Sequence, residues 1–117
     1  KRFTKEVRAG YLAPYNSWRN RIAIHCFVQD IPMTVNHPTR PTLDSIEIGL
    51  AQFRQHPMLI LWGDDDFCFT TRDFLPKWRE HFPRANVHVL PHVGHYIVED
   101  AHEKILPLIQ DFLGLRN

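Results

Sequence analysis

Apolar positions in this chain change period along its length. From residue 42 onward the changes mark out alternating helices and strands. Leu43, Ile46, Leu50 and Phe53 recur at spacings of three, four and three, which is one helix face. Thr42 stands where a helix cap belongs, and Asp44 in the first turn suits the helix dipole. After His56-Pro57 the run Met58-Leu59-Ile60-Leu61-Trp62 is apolar without interruption. A short run bounded by Pro and Gly predicts a strand buried on both faces, as in a parallel sheet. Gly63-Asp64-Asp65-Asp66 supplies turn chemistry. Thr70 and Thr71 then open a helical stretch to about Phe82, with Phe74, Trp78 and Phe82 on one face. Pro76 lies inside it, so a late start, a kink or a split is expected. Pro83 and Asn86 make a turn, and Val87-His88-Val89-Leu90 reads as a second strand. Pro91 to Tyr96 is a loop. Asp100-Ala101-His102-Glu103 has the form of a capping box opening a last helix. Ile105, Ile109 and Phe112 share its face, Pro107 predicts a kink and Gly114 a stop.

The first third is helical in two pieces. Helix formers run from Thr4 to Leu12 and end near Ala13-Pro14. Asn16 or Ser17 caps a second helix from Trp18, whose Ile22, Ile24, Phe27 and Val28 form an uneven stripe. Pro32 ends it, and Met33 to Pro41 is an irregular connection. The order from Thr42 onward is α-β-α-β-α, which predicts parallel strands and an α/β sheet.

A length of 117 residues allows one domain and makes two improbable. The 14 Lys and Arg nearly balance the 13 Asp and Glu, leaving a formal charge of +1. No field of one sign follows, so neither nucleic acid nor a polybasic membrane contact is expected as a partner. The longest apolar run, Met58 to Trp62, is far below the ~18 residues needed to span a bilayer. Cys26 and Cys68 read as free thiols in a reducing compartment, hence a cytoplasmic location.

Candidate chemistry sits just past the carboxyl ends of the two strands, where open α/β sheets place their sites. Asp66 follows the first strand and His95 the second. Taken singly, Asp66 reads as a turn or capping aspartate and His95 as a polar loop histidine. Taken together on neighbouring parallel strands, they can pair. A carboxylate that accepts a ring N–H fixes the imidazole tautomer and leaves the other nitrogen as a general base. Gly63, three before Asp66, and Gly94, just before His95, favour that joint reading.

These residues carry a resemblance. Pro57-Met58-Leu59-Ile60-Leu61-Trp62-Gly63-Asp64-Asp65-Asp66 resembles the α/β-hydrolase segment that bears the catalytic acid. Val93-Gly94-His95-Tyr96-Ile97-Val98-Glu99-Asp100 is similar to the segment that bears the catalytic histidine. The order, acid before histidine, agrees with that family. Tyr11 to Pro32 resembles the end of the helical cap in haloalkane-dehalogenase-like members, a branch that includes the β-lactone decarboxylases of olefin biosynthesis. The run Phe74 to Arg79 with Phe82-Pro83 is similar to the same branch.

The resemblance implies an α/β fold made of the C-terminal part of an α/β-hydrolase domain. Residues 1–41 would be the end of the cap and a connection, and residues 42–117 the core portion. It implies a small-molecule substrate and hydrolysis through a covalent intermediate, with Asp66 and His95 catalytic and no cofactor or metal. Phe67 and Cys68, beside Asp66, and Phe27, on the cap side, are the expected substrate-contacting residues. One departure matters. A nucleophile elbow reads G-x-S-x-G or G-x-D-x-G, and neither pattern occurs; the two serines, Ser17 and Ser45, lie in Asn-Ser-Trp and Asp-Ser-Ile. The family's fold also uses about eight strands and more residues than the ~100–150 of a common domain. The length therefore reads as a truncation, and this chain by itself is expected to be inactive.

Two rivals stand beside that reading. His88, His92 and His95, with Glu99 and Asp100, could ligate zinc, but Pro91 and Gly94 break the segment and no helical His pair forms. Asp64-Asp65-Asp66 could hold Mg²⁺, but no phosphate-binding glycine loop accompanies it. The second rival is a non-enzymatic interaction module, self-associating through exposed sheet edges.

Overall fold

The structure is a computed structural model and describes residues 3–115. Helix α1 spans Lys5–Leu12, α2 Trp18–Gln29 and α3 Arg40–Gly49. Strand β1 spans Leu59–Gly63, α4 Leu75–His81, β2 Asn86–Leu90 and α5 Ile97–Phe112. Short 3₁₀ turns lie at Ala13–Tyr15 and Leu50–Phe53. The chain divides into two compact units, Lys1–Gly49 and Leu50–Asn117. The division assigns α3 to the first unit, whereas the sequence reading grouped it with the second.

In the first unit α1 and α2 both start at side-chain caps, of which only that of α2 was expected. The Thr4 hydroxyl accepts the Val7 amide at 3.3 Å, and the Ser17 hydroxyl accepts that of Asn20 at 3.3 Å. The cap of α2 is thus Ser17; Asn16 instead accepts a hydrogen bond from the Asn20 side chain at 2.8 Å. Helix α3 begins two residues before the expected Thr42 cap. Pro41 occupies its first turn, where a missing N–H costs nothing. Arg40 Nε donates to Asp44 Oδ1 at 2.7 Å along the helix. No described side chain of this unit is buried.

The second unit is built on two parallel strands. Leu59 pairs with Asn86 and Gly63 with Leu90, so both carboxyl ends lie level. The parallel order predicted from the α-β-α-β-α pattern is present. Burial on both faces of β1 is incomplete: Ile60 and Gly63 are buried, while Leu59, Leu61 and Trp62 are half-buried. Leu90, Val93, Ala101 and Ile105 form a cluster against which Leu61 and Ile97 pack. This cluster joins β2, its following loop and α5 into a second layer on the sheet.

The prolines decide the helix starts. Of the three outcomes open at Pro76, the late start occurs: α4 begins at Leu75 with Pro76 in its first turn. The preceding residues turn instead, held by Thr70 Oγ1 donating to Asp73 Oδ2 at 2.6 Å. Core contact from α4 comes through Leu75 and Phe82, not through Trp78, which stacks on Phe82 at 5.9 Å. Helix α5 begins at Ile97, earlier than the capping-box reading placed it. Its break is at Ala101 (φ −147°, ψ 29°) rather than at Pro107. The Asp100 carboxylate does not cap its own helix; it accepts the Gly94 amide at 3.1 Å. Gly114 ends α5 as expected. At φ 67° it lets Leu115 N reach Gln110 O at 2.8 Å, and its own N–H reaches Asp111 O at 3.1 Å.

Candidate active site

Asp66 and His95 meet at the level carboxyl ends of β1 and β2. His95 Nδ1 lies 3.1 Å from both Asp66 oxygens. Asp66 Oδ1 also accepts the backbone amides of Cys68 and Phe69, each at 2.8 Å. Burial raises the pKa of the Asp66 carboxyl, but the Phe69 amide, the His95 ring and the Cys68 amide outweigh it and hold it below its ordinary value. An ionised carboxylate only accepts hydrogen bonds, so Nδ1 is the donor. The neutral ring then carries its lone pair on Nε2, which is the state a general base needs. The Asp66 side chain is 8% exposed and that of His95 28%, so the carboxylate is covered and the ring is reachable.

Aromatic rings surround the imidazole. Phe69 stands 5.3 Å from it, Phe67 5.7 Å and Tyr96 5.3 Å, the last edge-on. Trp62 Nε1 donates to Phe69 O at 2.8 Å and ties that segment to β1. Of the substrate-contacting residues expected from the sequence, Phe67 and Cys68 do lie at the pair. Phe67 touches the ring, whereas Cys68 contributes its backbone amide. Phe27 is on α2 in the first unit and is largely exposed. Cys26 and Cys68 are both free and exposed.

Gly63, already marked by its spacing before Asp66, positions this site, and Asp64, Asp65 and Asp100 do so without any such signal in the sequence. Gly63 lets the histidine loop approach: a Cβ there would lie within 2.6 Å of Gly94 O and closer still to Val93 O. Asp64 Oδ1 accepts the His92 amide at 2.7 Å, and Asp65 N donates to Val93 O at 3.0 Å. Asp100 holds Gly94 from the other side. Within Asp64-Asp65-Asp66 the Asp64 and Asp65 side chains both face His92, through its amide and its ring, while Asp66 faces His95. Among the described residues no three His, Cys, Asp or Glu side chains gather as metal ligands would.

A wide groove of about 590 Å³ lies in the first unit, lined by Leu12, Tyr15, Trp18, His25 and Val28 among others. None of its lining residues is acidic, so it offers no partner for a histidine base. The acid–base geometry belongs to the Asp66–His95 pair.

A family model described as the alpha/beta hydrolase fold matches residues 5–102. This chain belongs to the α/β hydrolase fold family. Over 110 residues it is 44% identical to a cis-3-alkyl-4-alkyloxetan-2-one decarboxylase of Shewanella oneidensis, covering 94% of this chain and 34% of that protein. A cis-3-alkyl-4-alkyloxetan-2-one decarboxylase of Xanthomonas campestris is 37% identical over 113 residues, covering 97% of this chain and 37% of that protein. Haloalkane dehalogenase 2 of Mycobacterium tuberculosis is 33% identical over 58 residues, which is 50% of this chain and 20% of that protein. The chain thus spans about a third of the length of the decarboxylases it matches, and it corresponds to the C-terminal part of the α/β hydrolase fold. No helix among the described residues is long and apolar enough to cross a membrane.

Proposed function

We propose that these residues supply the acid and the histidine of an α/β-hydrolase active site that works through a covalent intermediate. The observation that carries this reading is the bidentate placement of His95 Nδ1 against Asp66, with Nε2 left free at the sheet edge. In this reading Asp66 orients His95 and stabilises the imidazolium, as the acid of a triad does. His95 Nε2 takes the proton of the group that attacks next. Where that group is water, its oxygen bonds to the enzyme-bound carbon, the bond to the nucleophile breaks, and the proton passes to Nε2. In this reading the nucleophile and the oxyanion donors are supplied from outside these 117 residues, because neither G-x-S-x-G nor G-x-D-x-G occurs among them.

The favoured substrate is a four-membered lactone bearing alkyl chains. Its support is the likeness to two oxetanone decarboxylases along nearly the whole chain, against half the chain for the dehalogenase. Apolar rings beside His95 suit alkyl groups better than polar ones. Phe67 and Cys68 border that space. A cytoplasmic location fits the two free thiols.

The test uses the natural full-length protein and a cis-3,4-dialkyl-2-oxetanone, with the 3-hydroxy acid that water addition gives and the alkene and CO₂ that fragmentation without water gives measured together. His95→Ala and Asp66→Asn are expected to lower kcat by about 10³–10⁴. Turnover at the parent rate in His95→Ala would remove the assignment. The 117-residue chain alone is expected to leave both the lactone and an activated ester untouched. Ester hydrolysis by that chain, abolished in its His95→Ala form, would show that it needs no further nucleophile.

A further inference from the structure

We propose that Asp100 is a positioning residue for His95. The proposal rests on the reading of His95 as the base of the site. Asp100 Oδ2 accepts the amide of Gly94, the residue immediately before His95, at 3.1 Å. A Cβ on Gly94 would stand 3.2 Å from that same oxygen, tighter than ordinary contact. The glycine before the histidine therefore leaves room for this carboxylate.

The loop from Leu90 to His95 has separate anchors at its two ends. Its early part is held by the turn after β1: Asp64 N donates to Leu90 O at 3.1 Å, Asp65 N to Val93 O at 3.0 Å, and Asp64 Oδ1 accepts His92 N at 2.7 Å. His92 sits at φ 59°, a left-handed conformation that a histidine adopts only when its surroundings hold it. None of these bonds reaches past Val93. At the His95 end, the Asp100 carboxylate takes over.

The position of Asp100 is itself firm. Ala101 next to it is fully buried, and Ile105 one turn on is 3% exposed. The break at Ala101 separates Asp100 from the rest of α5, and its carboxylate serves the loop instead of its own helix. The resulting chain of support runs from the core through α5 to Asp100, then Gly94, then the ring. Equal 3.1 Å distances from Nδ1 to both Asp66 oxygens require the ring to stand in one place. A displacement of about 1 Å costs about 10²-fold in a reaction that depends on such geometry.

The experiment again uses the natural full-length protein. In Asp100→Ala, kcat on the dialkyl oxetanone is expected to fall about 10- to 100-fold with KM within about twofold. The low-field proton signal of His95 Nδ1–H in the NMR spectrum is expected to broaden or vanish. Asp100→Asn keeps an oxygen that can accept the Gly94 amide, so it restores most of both readouts. Thermal melting checks that each variant folds. If Asp100→Ala does not fold, Gly94→Ala decides, because its methyl crowds the same oxygen and is expected to give the same pair of losses. Parent kcat with an unchanged His95 signal in the folded variant would overturn the proposal. The two readings fail separately. An active His95→Ala removes the base assignment, while an inactive His95→Ala beside a fully active Asp100→Ala removes only the role of Asp100.

Discussion

Ile105 and Ile46 are both helical isoleucines on amphipathic faces, yet one is 3% exposed and the other 57%. The difference lies in what each face meets. Helix α5 packs its Ala101 and Ile105 against Leu90, Val93 and Leu61, so a sheet stands beneath it. Helix α3 has as clear an apolar spacing, but Leu43 and Ile46 stay exposed. Amphipathic spacing says which face wants cover; a second layer within reach decides whether it finds it. The candidate site follows the same division. Asp66, His95 and their anchors all fall in the unit that has a core, where their distances can be held.

That contrast can be tested by deletion of side-chain volume. Ile105→Ala is expected to cost about 2–5 kcal/mol, because it removes buried groups and leaves a cavity. Ile46→Ala is expected to change stability by less than about 0.5 kcal/mol. Urea unfolding of the two variants measures both, and equal losses would erase the distinction between the units. Gly63→Ala probes the link between core and site, since its methyl would collide with the Val93–Gly94 backbone. A loss of about 1–3 kcal/mol is expected, with displacement of His95 seen in its NMR signals. Unchanged stability and an unchanged ring signal would show that the close approach is dispensable.

The smallest effect concerns pH. The folded state holds the Asp66 carboxyl below its ordinary value of 3.8. Its contribution is therefore complete above the unfolded pKa and is lost as pH falls through the lower folded value. In Asp66→Asn that loss is absent, so stability falls less steeply between about pH 5 and pH 2 than in the parent. Parallel curves for the two proteins would mean that the pairing does not stabilise the carboxylate.

Much of this fold was legible from local pattern. The continuous run around Ile60, the Gly114 stop and the Ser17 cap each depend on near neighbours, and each appears where expected. The Pro76 effect was legible as a conflict, and the late start of α4 resolves it. Misreadings occurred where a distant partner competed with a local one. Asp100 has the spacing of a capping box, but the Gly94 amide lies within its reach and takes the carboxylate. Thr42 has the chemistry of a cap, but Pro41 already suits a first turn, so the helix starts earlier.

By itself the sequence determined the alternation of helix and strand, the turn residues and the presence of an aspartate and a histidine just past two strands. These follow from side-chain period and backbone preference, which act over a few residues. Only the tertiary structure decided that Asp66 and His95 touch. It also separated the roles of three consecutive aspartates: Asp64 holds the His92 amide, the Asp65 backbone holds Val93, and Asp66 takes the ring. Their chemistry is identical, so only the register of β1 against β2 and the close approach at Gly63 distinguish them.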